Sequence, residues 1–240
     1  MNYQDKQKEN IRNIEEAFKR GETPSTIVVP VADFANDEQI CLTSVAFVSS
    51  LIRSNIIDKV VEPLRALDNR QYFYPPESFH VTIQNIRVIN NPPHFGDEEI
   101  ERAKEVFEKV IPKHSSIKFH LKGLFELPTS LAIPAYTDES FGDLVLELRQ
   151  ELERAGAPDD KKYASEVVLG SSTIFRYTTQ PNDAFVEKIR DLKEIELGEF
   201  IAEKVNLITA NSVCHPGKTK ILGEYSLGNS IANRGKIFGS

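Results

Sequence analysis

The 240-residue chain has no tryptophan, a single methionine at position 1, and two cysteines, Cys41 and Cys214. Two cysteines cannot form a disulfide framework or a four-ligand zinc site, so each is expected to pack as a small buried hydrophobe. Long apolar runs are also missing. The most apolar stretch, residues 51–61, is broken by Arg53, Asp58 and Lys59, and a spanning helix needs roughly 20 apolar residues. The first 20 residues are polar and show no apolar signal region, which sets the expectation of a cytoplasmic protein without a membrane partner. Positive charge is in deficit, with a formal net charge of −7. Affinity for long duplex nucleic acid comes from neutralised phosphates, so that partner is not expected, whereas a small site for one phosphate is allowed. Gly170-Ser171-Ser172-Thr173 lacks the second glycine of a nucleophile elbow, and Gly217-Lys218-Thr219 lacks the first glycine of a phosphate loop. His94 has no second ligand at metal spacing. Neither a cofactor nor a metal is expected.

With 40% hydrophobic and 27% charged residues, the chain has an ordinary globular composition, and its length suits one large domain or two packed lobes. Ile11, Ile14, Ala17 and Phe18 recur at helical spacing before Gly21. Strands are expected at Thr26–Val31, Ile40–Val48 and Phe79–Ile86. Leu51, Ile52, Ile56, Val60, Leu64 and Leu67 form a helical stripe, as do Ile100, Ala103, Phe107 and Val110. The second half repeats the order. Strands are expected at Ile117–Phe125, Ser130–Tyr136 and Val167–Tyr177, and helices through Phe141–Leu152 and Phe185–Leu192. Phe200–Ser212 and Ile221–Leu227 read as a closing pair. The expected class is α+β, two similar lobes of antiparallel sheet with flanking helices around a cleft. Residues 1–25 are expected to form a helical extension, 26–227 one bilobal domain and 228–240 a flexible tail.

The chemistry concentrates in Phe79-His80-Val81-Thr82-Ile83-Gln84. Side chains alternate along a strand, so His80, Thr82 and Gln84 are expected on one face and Phe79, Val81 and Ile83 on the other. An imidazole two residues from a hydroxyl can move a proton while the hydroxyl binds an anionic oxygen. A polar strand face that merely meets solvent is the plainer alternative. Ser171-Ser172-Thr173 holds the corresponding place in the second half. Of the other histidines, only His114-Ser115-Ser116 fits the same spacing, and it reads as loop.

On these residues the chain resembles the two-histidine phosphoesterase superfamily, also described as the 2′-5′ RNA ligase family. The resemblance implies two pseudo-symmetric lobes, each lending one His-x-Thr/Ser strand to a central cleft. It implies that His80 is one of two acid/base histidines, that Thr82 and Thr173 hold phosphate oxygens, and that Ser171 stands in place of the second histidine. A serine does not titrate near neutral pH and cannot shuttle a proton without an adjacent base. Arg176 and Tyr177 follow the second motif, and Arg176 could clamp a phosphate. Strict alternation puts Arg176 off the Ser171–Thr173 face, so that role needs a bulge. Tyr72 and Tyr74 could hold a base or ribose, or pack on Pro75 and Pro76. The implied function is a metal-independent phosphodiesterase acting on 2′,3′-cyclic phosphate or 2′-5′-linked nucleotide or RNA ends, as a monomer. The alternative is an RNA-end or nucleotide-binding module in which catalysis is abandoned.

Overall fold

The computed structural model describes residues 2–22, 28–159, 161 and 167–228. Helix α1 (Tyr3–Lys19) starts where the Asn2 side chain accepts the Asp5 amide, satisfying one of the orphan donors of a first turn. Residues 28–31, expected to be strand, run as irregular chain, and residues 26–27 lie outside the described part. Pro30 removes a ladder donor there, and Val29 faces solvent. Strand β1 (Ile40–Phe47) follows, then a helical run made of α2 (Ser50–Ile56), a widened turn (Ile57–Val61) and α3 (Glu62–Arg65). Pro63 supplies no amide to that turn, consistent with a wider hydrogen-bond step just before it. Of the predicted stripe, Ile52, Ile56, Val60 and Leu64 are buried, whereas Leu51 and Leu67 are exposed.

A short β2 (Tyr72–Phe73) precedes β3 (His80–Asn90) and α4 (Asp97–Val110). The expected Ile117–Phe125 strand divides into β4 (Ile117–Lys122) and β5 (Phe125–Leu127). Gly123 between them has φ +78° and the Lys193 carbonyl 2.8 Å from where a Cβ would sit, so only glycine fits. The chain continues through β6 (Ser130–Tyr136), α5 (Glu139–Arg154), β7 (Gly170–Arg176), α6 (Asp183–Asp191), β8 (Glu196–Ala202), β9 (Lys204–Ala210) and β10 (Lys220–Ser226). The Phe200–Ser212 expectation is corrected here. The chain leaves one sheet at Ala202 and enters the other at Lys204, so β8 pairs with β4, and β9 with β10.

One sheet has the order β10-β9-β1-β3, and the other β2-β7-β6-β4-β8 with β5 beside β6. Both are antiparallel. In each half a helical crossover joins two antiparallel neighbours, β1 to β3 and β6 to β7, so the predicted pseudo-repeat is the architecture. The sheets meet along β3 and β7. Gly170 opens β7 against Val81, whose methyl lies 3.2 Å from where a Cβ would stand. One continuous core, including Leu42, Val81, Phe119, Ile133, Phe175 and Leu207, fills the space between sheets and helices. A smaller cluster joins α1 to the second sheet through Ile11, Ile14, Phe125 and Ala132. The amides of Gln7 and Asn10 tie the same helix to the Val168 and Val167 carbonyls at 3.0 and 3.2 Å.

Candidate active site

Strand register decides which side chains reach the junction of the sheets. Residues directly opposite in an antiparallel pair share a face. Thr82 lies opposite Val45, but Gln84 lies opposite Ser44, because Ile83 is an extra residue at a register shift. A bulge of this kind bends the strand and re-aims the side chains beyond it. Gln84 therefore turns away from His80 and Thr82, contrary to the alternation expected, and Asn85, opposite Thr43, takes its place on their face. Strand β7 has its extra residue at Ile174, since Ala132 pairs with Thr173 and Leu131 with Phe175. Arg176, opposite Ser130, consequently shares the face of Ser171 and Thr173. The bulge that the arginine required is present.

His80 is held by its own strand entrance. Its Nδ1 lies 2.6 Å from the Ser78 carbonyl. A carbonyl only accepts, so Nδ1 carries the proton and Nε2 presents a lone pair. Nε2 faces Cys214 Sγ at 3.8 Å. Burial holds the imidazole below its usual pKa, the like charge of Lys161 adds to that, and the Ser78 carbonyl opposes it. His80 is thus a neutral base whose Nε2 lone pair faces the Cys214 thiol.

Cys214 belongs to the loop joining β9 and β10 and has φ +47°, a left-handed conformation uncommon for a side chain other than glycine. Ser78 Oγ donates to its carbonyl at 2.8 Å, and Asn211 Oδ1 accepts the His215 amide at 3.0 Å. These bonds hold the loop in that conformation. Burial pushes the Cys214 and Cys41 thiols up to about 12, so neither is a thiolate nucleophile near neutrality.

Arg176 reaches the same loop from the other sheet. Its Nε donates to Tyr74 Oη at 2.9 Å, and its Nη2 and Nη1 donate to the Ser212 carbonyl and Thr129 Oγ1, both at 3.4 Å. Its guanidinium lies 5.9 Å from the Phe34 ring centre. All of these partners are neutral, and among the described residues no carboxylate pairs with this buried cation. Burying a guanidinium without a counter-charge is costly.

The remaining expected residues fall around this core. Thr82, Ser171 and Thr173 are partly exposed, and their hydroxyls bond to no described residue. Tyr74 is buried, its phenol pushed up to about 12 chiefly by burial. Tyr72 stacks at a tilt on Phe34, ring centres 5.3 Å apart. Tyr177 packs edge-on against Phe175 at 5.1 Å, and burial raises its pKa. Sequence reasoning missed Phe34, Cys214 and Asn85. Phe34 is fixed by Asn211 Nδ2 donating to its carbonyl at 2.9 Å, and nothing in residues 28–39 alone signals that. Among the described residues no cluster of His, Cys, Asp and Glu could hold a metal ion, and no helix is long and apolar enough to cross a membrane.

No family model and no curated protein matches the chain by sequence. Its fold is nevertheless similar to solved structures. TT0787 of Thermus thermophilus superposes with a TM-score of 0.60 at 15% identity, covering 79% of this chain and 99% of that one. A phosphoesterase superposes with a TM-score of 0.53 at 11% identity, over 80% of this chain and 100% of that one. E. coli LigT in apo form gives 0.52 at 11% identity over the same shares. LigT has also been solved with ATP and with phosphate. The chain shares the α+β fold of these neighbours, one of which is named a phosphoesterase.

Proposed function

We propose that the junction of β3 and β7 receives the phosphate of a nucleotide or RNA end, and that His80 transfers a proton there to open a 2′,3′-cyclic phosphate or a short 2′-5′ linkage. The observation that carries this reading is Arg176, a buried guanidinium with no carboxylate partner among the described residues, delivered by a bulge to the face of Ser171 and Thr173. Nε2 of His80, which carries the lone pair and meets the Cys214 thiol, supplies the base. The hydroxyls of Thr82, Ser171 and Thr173, with Arg176, stabilise the charged phosphorane-like state. Water or a neighbouring cation completes the second proton transfer, and no cofactor is required.

A binding module without turnover is favoured by one feature: Ser171 bonds to no base among the described residues. The two readings part under one set of assays. Wild-type protein should bind nucleoside 2′-phosphate with a shift of the His80 imidazole in NMR spectra, and hydrolyse 2′,3′-cyclic nucleotide slowly. Ser171→His should raise that rate by restoring an acid on β7. Binding with no turnover in either protein would leave the module reading. Absence of any His80 shift at about millimolar ligand, a weak-binding threshold, would sink both.

A further inference from the structure

An arginine presents five N–H donors in one plane, and the contacts of Arg176 show how its donors are shared out. Nε donates to Tyr74 Oη at 2.9 Å, an ordinary hydrogen-bond distance. Nη2 reaches the Ser212 carbonyl and Nη1 reaches Thr129 Oγ1, both at the long 3.4 Å. Thr129 gives its own proton to the Val28 carbonyl at 3.0 Å, so it meets the guanidinium as an acceptor. Each terminal nitrogen has a second hydrogen, and no described residue takes either one. The short bond lies at Nε, and the unmet donors lie at the terminal nitrogens.

Tyr74 is placed by the same backbone feature that turns Arg176 to the site. Strand β2 pairs Tyr72 with Arg176 and Phe73 with Phe175. One residue further on, the Tyr74 amide donates at 3.0 Å to the carbonyl of Ile174, the extra residue of the β7 bulge. The phenol has one proton, and Oη lies 3.4 Å from the Ser212 carbonyl, which only accepts. The proton goes there, which leaves an oxygen lone pair for Nε. Tyr74 is 2% exposed and its ring centre lies 6.0 Å from the guanidinium, so the ring backs the arginine rather than facing solvent.

Resting on the phosphate-site reading above, we infer that Tyr74 is the positioning residue for Arg176: its phenol oxygen holds Nε, so that a phosphate is met end-on by the two terminal nitrogens alone. A side-on clamp needs Nε together with a terminal nitrogen, and Nε is taken. Fixing a long side chain costs rotamer entropy, and Tyr74 moves that loss from binding to folding. The ligand class is a phosphomonoester or cyclic phosphodiester that offers two non-bridging oxygens to the terminal pair.

The test uses the full-length chain and follows Arg176 Nε–H by NMR, assigned from its loss in Arg176→Met. In wild type that signal should be protected from solvent exchange. Inorganic phosphate or nucleoside 2′-phosphate should shift the terminal N–H signals and leave Nε–H in place. Tyr74→Phe keeps the ring and removes the acceptor. It should expose Nε–H to exchange, let phosphate shift it, and weaken both ligands about five- to tenfold. Tyr74→Phe introduced into Arg176→Met should weaken phosphate no further, because a positioning residue then has nothing to position. A merely structural tyrosine would weaken phosphate in both backgrounds, and that result overturns the inference. So does a folded Tyr74→Phe with unchanged affinity, or a wild-type Nε–H that phosphate shifts along with the terminal signals. The last measurement needs no Tyr74 variant and decides the matter if Tyr74→Phe does not fold. Wild type that binds neither ligand overturns the phosphate-site reading itself, which separates the two failures.

Discussion

Strands β3 and β7 hold corresponding places in the two halves, and each carries one extra residue three positions after its motif begins, Ile83 after His80 and Ile174 after Ser171. The same irregularity has opposite chemical results. In β3 it sends Gln84 off the polar face and admits a neutral amide, Asn85. In β7 it turns Phe175 away and admits a guanidinium, Arg176. One lobe therefore offers a base and a hydroxyl, and the other offers hydroxyls and a fixed cation. The backbone is alike in the two halves while the side chains it presents are not. Backbone geometry and catalytic endowment can drift apart because a bulge specifies only which positions face the site, not what occupies them.

The largest expected effect probes that one-sidedness directly. His80→Ala should lower 2′,3′-cyclic nucleotide hydrolysis by about 10²–10⁴, the usual contribution of a positioned acid or base. Ser171→Ala should cost about tenfold, as the loss of one neutral donor to an anionic oxygen. Equal losses in a steady-state assay of the two variants would mean that the lobes share the proton chemistry after all.

Arg176→Met should come next. Phosphate affinity should fall about 10- to 100-fold, equivalent to about 1.4–2.8 kcal/mol. The ligand-free protein should keep or gain thermal stability, since no carboxylate pairs with Arg176 among the described residues and replacing such a buried charge with an apolar side chain is often neutral or stabilising. Tyr74 and Ser212 limit that gain, because both lose a donor. A large drop in ligand-free melting temperature would show instead that Arg176 serves the fold before the ligand.

These variants also mark what could be read from residues alone. Element order and the β3 motif were legible, because apolar periodicity and alternation are local properties. The face of Arg176 was not, because a bulge is a property of two strands in register and Ile174 looks like any other strand residue. Phe34 was harder still. It packs near Arg176, a partner far away along the chain that only the closed fold brings to it. Cys214 was legible as a buried thiol but not as the neighbour of His80, since its position depends on a left-handed loop residue.

A smaller effect concerns pH. His80 is held below its ordinary value in the folded chain, so the unfolded chain takes up that proton first. Its share of stability is present above about pH 6.5 and is lost as pH falls through the lowered folded value. Wild type should therefore lose stability between about pH 7 and pH 5 more steeply than His80→Gln, by at most about 1.4 kcal/mol per pH unit, one proton's worth. Saturating phosphate should flatten the difference by favouring the imidazolium. Denaturant midpoints at three pH values measure it, and parallel curves would place the His80 titration near its solution value.

The smallest effect tests the β3 half of the comparison at Asn85, the register counterpart of Arg176. Its amide nitrogen is buried and unpartnered in the free protein, which costs about 1–3 kcal/mol of desolvation when nothing replaces the lost water. Asn85→Leu has a similar shape and removes that unmet donor, so the ligand-free protein should be as stable as wild type or up to about 1 kcal/mol more stable. If the amide meets the ligand when phosphate arrives, the same substitution should weaken phosphate by about fivefold, in keeping with one neutral hydrogen bond. The two readouts move in opposite directions only when the amide is held for a ligand. Lower stability with unchanged affinity would assign Asn85 to the fold alone. That result would leave β3 contributing only His80 and Thr82, and the asymmetry between the lobes would be greater than their matched bulges suggest.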